Sequence, residues 1–230
     1  MPDERVLGVD ACKAGWVGIA LDRDRTSAYF EPTIDELVVR AESDGPVAVV
    51  AIDMPIGLPD NGRRQADLLA QKAIGKLRSS VFITPVRAAL EAPDHRTATA
   101  RNHALAGAGI SIQAFGLKPK LQQVERWVRQ THHHVVEAHP EVSFAQLAGS
   151  PLPVRKKTWA GTELRRRLLV EAGILLGGDL GAAGARAAVD DVLDAAACAW
   201  IARRVARGEA QARPDPPEIF SDSLPCAIWS

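Results

Sequence analysis

Five carboxylates stand where chemistry is possible. Asp10 closes the run "RVLGVD", Asp53 closes "VAVVAID", and Glu137 follows the valine pair in "HHVVEAHPE". Each comes after residues that read as a strand and before residues that break one. Asp191 and Asp194, in "VDDVLDAAACAWIARRVAR", are three residues apart and so share one face of a helix. Carboxylates gathered at one sheet edge cannot all ionise without a counter-charge. One or two divalent cations about 4 Å apart would supply it, and such a site suits phosphoryl transfer. An oxygen-only donor set selects Mg²⁺ or Mn²⁺, and His and Cys at zinc spacing are absent. Singly, the same residues have plainer roles: Asp10 or Asp53 as a strand-end Asx turn, Asp191 as a helix cap. The residues leave open whether Asp53 or Glu137 is the better ligand, and how many metals would bind.

Candidate substrate contacts are basic or hydroxylic. Arg78, Ser79, Ser80 and Arg87, within "RSSVFITPVR", offer guanidinium forks and hydroxyl donors to an anion. Lys13 lies just past Asp10, and Lys118 and Lys120 flank Pro119. In "RKKTWAGTELRRR", Lys156, Lys157 and three arginines surround a helix start, with Trp159 as a stacking surface, and Lys157 is taken as the contact. The triplet His132 to His134 reads as a partly exposed strand entry, not as a metal site.

The elements that must position these groups follow from periodicity. "RVLGVD", "GWVGIAL" and "TSAYF", the last after the charged turn "DRDR", predict a three-stranded meander. "TIDELVVRAES" carries a Thr cap and helical spacing, and leads into the apolar strand "VAVVAID". A helix joining meander to strand implies a crossover, with the new strand parallel to one already in the sheet. Residues 61 to about 130 are polar, Ala-rich and helical, an insertion after the fourth strand. "HHVVEAHPE" returns to a strand, "EVSFAQLAG" and "AGTELRRRLLVEAG" are helices, and "GGDLGAAGA" reads as a flexible segment. The stretch from about Val189 to Arg207 predicts a long helix with one apolar stripe. The Pro-rich tail ends in "CAIWS".

The bulk numbers narrow the classes. The chain has 230 residues, enough for one large α/β domain over 1–230 with an insertion. Its 28 basic and 28 acidic residues cancel, so no global field attracts a polyanion or an anionic membrane. Five Trp, five Phe and one Tyr are few for a long nucleic-acid track, which favours a small or structured substrate. Three scattered cysteines suggest neither a disulfide framework nor a zinc knuckle. With no signal-peptide run and no long apolar window, a soluble cytoplasmic protein is expected, without membrane contact and with self-association left open.

The chain resembles the ribonuclease H-like superfamily, and more specifically the domain-of-unknown-function family described as predicted ribonuclease H-like nucleases. The resemblance rests on six blocks in order: "GVDACKAGW", "AIDMPIGLP", "RSSVFITPVR", "VEAHPEVSFAQLAGSPL", "KKTWAGTELRR" and "DDVLDAAACAWIA". It implies a five-stranded mixed sheet in the order 3-2-1-4-5, flanked by helices. It also implies carboxylates at the ends of the first and fourth strands and on the last helix, where Asp10, Asp53, Asp191 and Asp194 match; Glu137 is a departure. The implied activity is a divalent-metal-dependent nuclease or phosphodiesterase acting on nucleic acid or a small phosphodiester. A non-catalytic scaffold that binds a partner is the alternative. An ATP-dependent kinase of the actin-like superfamily is less favoured, because "LGGDLGAAG" does not follow a strand as a second phosphate loop should.

Overall fold

In the computed structural model, residues 4–23 and 25–230 are described. Met1 to Asp3, and Asp24 in the expected turn "DRDR", lie outside the described residues. Strands β1 (Val6–Cys12), β2 (Gly15–Asp22) and β3 (Arg25–Glu31) form the antiparallel meander. The Thr33 hydroxyl accepts from the Glu36 amide and starts α1 (Ile34–Glu42), which crosses to β4 (Val49–Ile52), parallel to β1. Between β4 and β5 (His134–Ala138) come α2 (Gln65–Ala73), a 3₁₀ turn (Gly75–Ser80), α3 (Arg87–Leu90), α4 (His95–Ala106), α5 (Ile112–Gly116) and α6 (Lys118–Gln130). After β5 follow α7 (Pro140–Leu147), α8 (Trp159–Glu171), α9 (Gly181–Arg186) and α10 (Val189–Ala206), then strands β6 (Ala212–Ile219) and β7 (Pro225–Trp229).

The seven strands among the described residues form one mixed sheet, in the order β3-β2-β1-β4-β5-β7-β6. The expected five-strand order is contained in it, but two further strands extend the sheet beyond β5. They come from the segment read as a Pro-rich tail. Pro214, Pro216 and Pro217 are tolerated because they fall in the irregularity between the paired residues Arg213 and Glu218, on an edge strand that pairs only with β7, so missing amide donors cost the ladder little. The segment "GGDLGAAGA" also differs from expectation, since Gly181–Arg186 closes into α9. Among the described residues no helix is long and apolar enough to cross a membrane.

The two-residue period of the strands sets the faces. Leu7, Val9, Val50 and Ile52 point into a core shared with α1 and α6, while Val6, Val49 and Ala51 point into a core shared with α10. Asp10 and Asp53 continue the second series, toward α10. That helix lies deeper than one apolar stripe predicts. Residues 192–199 are all buried, because the sheet covers one side and α7 and α8 cover another.

Gly8 allows the close approach of α10. A Cβ at this position would stand 1.9 Å from the Ala199 nitrogen and 2.2 Å from the Ala195 oxygen, so the helix backbone lies directly on β1. Gly8→Ala must push α10 away from the sheet. The expected loss is about 3 kcal/mol, or roughly 6–12 °C in Tm. A Tm within about 2 °C of wild type in a thermal melt would show that the helix can move at little cost.

Candidate functional site

Three elements deliver three carboxylates to one point. Asp10 is in β1, Asp53 follows β4 directly, and Asp194 is in the second turn of α10. The pairing Val9↔Ile52 makes Asp10 and Asp53 neighbours on the next rung, where the Asp53 amide donates to the Val9 carbonyl at 2.9 Å. One oxygen from each of Asp10, Asp53 and Asp194 lies within 4.8 Å of the others, close enough to share a cation. Asp194 Oδ1 is buried without a hydrogen-bond partner, as a waiting ligand atom would be.

Lys156 answers part of this charge. Its Nζ donates to Asp194 Oδ2 and lies 3.8 Å from Asp190. One ammonium facing three acids leaves the cluster short of positive charge. Burial, then the neighbouring Asp53 and Asp194, holds the Asp10 carboxyl well above its ordinary range. Burial likewise raises Asp53 to about 6 and Asp194 to about 7, against the opposing pull of Lys156.

Glu137 and Asp191 are placed differently. Glu137 pairs with Ile52 across the ladder and so points to the sheet face opposite Asp10 and Asp53. It is held there by Arg64, whose Nη1 and Nη2 donate to its two oxygens at 2.9 and 2.6 Å. Its Oε2 also accepts from the Ile56 amide at 2.7 Å. Arg64 is fully buried, reaches Asp67 Oδ1 through Nε at 3.0 Å, and donates to the Ile56 and Gly57 carbonyls. Glu137 lines the same pocket but stands outside the three-carboxylate group, and through Arg64 it bolts the loop after Asp53 to β5 and α2. Asp191 sits at the pocket wall and its Oδ2 accepts from the Ala188 amide, so it caps α10 and stands outside the three-carboxylate group.

The cluster opens into a pocket of about 240 Å³. Of the expected substrate contacts, Ser80 lines it, whereas Arg78 and Ser79 are exposed on the 3₁₀ turn outside its lining. Arg87 is committed to Glu125 at 2.9 Å and Asp222 at 2.7 Å. Lys118 donates to the Ala92 carbonyl, and Lys120 donates to the Gly15 carbonyl and covers the Trp16 ring. Lys13 and Lys157 are exposed and outside the lining.

Charged or titratable lining groups that the sequence reading did not select are Lys156, in place of Lys157, the buried pair Arg64 and Asp67, and His139. His139 follows β5, and burial pushes its imidazole down to about 4, so the ring is neutral near pH 7. Its Nδ1 is buried and unpartnered. A strand-end signal was present for His139, two residues beyond Glu137, but nothing in the sequence separates Lys156 from Lys157.

No curated protein and no solved structure matches this chain. The family model described as "Protein of unknown function (DUF429)" matches residues 8–219, from within β1 to the end of β6 and across all five candidate carboxylates, and the chain belongs to that family.

Proposed function

We propose that this protein is a ribonuclease H-like, divalent-metal-dependent phosphodiesterase, with Mg²⁺ or Mn²⁺ held by Asp10, Asp53 and Asp194. The observation that carries the reading is the convergence of three acids from two parallel strand ends and the long helix, with too little positive charge beside them. When bound, the cation supplies charge to stabilise the oxyanions of an in-line displacement and activates water. Lys156 orients Asp194 and adds positive charge at the pocket wall. Ser80 offers a hydroxyl to a phosphate oxygen, and His139 is a neutral group in the same pocket able to accept a proton. The pocket is smaller than the roughly 300 Å³ at which common ligand sites begin, so it fits a phosphodiester with one attached ring better than a duplex. The kinase alternative finds less support, since "LGGDLGAAG" follows α8 and folds into α9 in place of a strand-to-helix phosphate loop.

The pH dependence provides a test. Asp53 and Asp194 titrate near 6 and 7 in the folded protein, above the ordinary 3.8. Between about pH 4 and 7 the folded site therefore holds protons that the unfolded chain has lost. The stability these groups contribute is complete below pH 4 and is lost as pH rises through 6 to 7. A cation replaces those protons, so the Mn²⁺-induced rise in Tm should be larger at pH 7.5 than at pH 5.5. The same preparation should cleave some member of a panel of RNA, DNA, branched and small phosphodiester substrates. A Tm indifferent to Mn²⁺ at both pH values, with no cleavage, would favour the scaffold reading.

A further inference from the structure

The acidic site makes no use of the histidine triplet. In an extended chain His132 and His133 would point to opposite faces. The backbone bends at His133, just before β5, and the two rings meet edge to face with centroids 4.4 Å apart. Glu42, the last residue of α1, reaches the same point, its Oε1 standing 3.1 Å from His133 Nε2. One ligand atom from each of Glu42, His132 and His133 lies within 4.8 Å of the others.

His133 is the informative member. Its side chain is only 4% exposed, its ring is packed by Trp127, Nδ1 has no partner, and Nε2 has the Glu42 carboxylate beside it without a well-aligned hydrogen bond. A buried polar group left in this state costs about 1–3 kcal/mol, so its role as a strand entry does not account for it.

We propose that Glu42, His132 and His133 form a second metal site, distinct from the three-aspartate cluster, for a borderline divalent cation such as Zn²⁺. Two imidazoles and one carboxylate are a zinc donor set with one position left for water. Imidazole donors favour Zn²⁺, Ni²⁺ and Cu²⁺ over Mg²⁺. The exposed His132 and the partly exposed Glu42 leave the fourth position facing solvent. His134 pairs with Val49, at the start of β4, whereas Asp53 follows its end, so the two sites lie at opposite ends of the strands. A cation at the second site staples the end of α1 to the entry of β5.

The test uses the full chain stripped with a chelator. Saturating Zn²⁺ should raise Tm by about 5–10 °C, and Co²⁺ should give the visible absorption bands of a low-coordinate nitrogen and oxygen site. His132→Ala, at an exposed position, should leave the metal-free Tm unchanged and lower Co²⁺ affinity at least 10-fold. Glu42→Gln should weaken it in the same direction, while Asp10→Asn should keep both signals. Absence of the bands in wild type, their survival in both His132→Ala and Glu42→Gln, or their loss in Asp10→Asn would overturn the assignment.

Discussion

Asp10→Asn is expected to abolish Mg²⁺- or Mn²⁺-dependent phosphodiester cleavage, by more than the roughly 100-fold that outer-shell changes cost a metal site. Asp10 is buried at the centre of the cluster, with Asp53 beside it across the β1–β4 ladder and Asp194 above it on α10. The amide keeps the size and one acceptor but removes the charge a hard cation needs. The same change relieves the ion-free protein. A carboxyl whose ionisation is opposed by burial and by two like charges is replaced by a neutral group, so the metal-free Tm at pH 7.5 should rise while the Mn²⁺ response disappears. This opposition of signs is what separates a functional acid from a structural one. Calorimetric Mn²⁺ titration and melts with and without the ion measure both halves. Cleavage at the wild-type rate in this variant would remove Asp10 from the mechanism.

Arg64→Met should produce the largest loss of stability. Arg64, Asp67 and Glu137 are all buried, and the guanidinium is the cation that both carboxylates face. Removing it strands two acids away from water, which costs about 3–5 kcal/mol, or roughly 6–20 °C in Tm for a chain of this size. Adding Glu137→Gln should restore part of the loss, because the amide oxygen can still accept from the Ile56 amide while one stranded charge is gone. Glu137→Gln alone should leave the Mn²⁺ response intact, since this residue stands outside the three-carboxylate group and its oxygens are taken by Arg64 and the Ile56 amide. Asp53→Asn should remove that response. The pair of single variants thus decides which of the two strand-end acids is the ligand. Measured by chemical denaturation, a loss below about 1 kcal/mol in Arg64→Met would mean that water reaches the two acids.

How much of this was legible depended on whether the signal was local. The meander, α1, β4, β5 and α10 were readable from alternation, the Thr33 cap and helical spacing, because each buries a face that its own residues define. Strands β6 and β7 were not. Three prolines in "ARPDPPEI" argue against a strand unless it is known to be an edge, and edge position is a property of the whole sheet. Asp10, Asp53 and the pair Asp191 and Asp194 stood out as acids at strand ends or on the last helix, but nothing local told Asp194, which joins the cluster, from Asp191, which caps α10. The choice between Asp53 and Glu137 turned on register, since one residue of offset reverses the face, and register is fixed by partners distant in sequence. Arg64 was hidden for the same reason. In "GRRQADLLAQ" it looks like its solvated neighbour Arg63, and the partner that makes it structural is Glu137 on another element. Lys156 and Lys157 differ only in which way a loop turns ahead of α8.

The contact between Gly8 and the backbone of Ala195 and Ala199 bears on how such a site can change over generations. Its acids can be gained singly, each at the cost of one more carboxyl beside the others. The distance between β1 and α10 cannot be approached by small steps, because even one methyl at position 8 forces the two backbones apart. A descendant that loses this glycine loses the spacing between Asp10 and Asp194 while keeping every acid in its sequence. Chains that carry the acids without a residue lacking a side chain at this position are therefore expected to be inactive copies, and the glycine, which performs no chemistry, becomes the better marker of a working site.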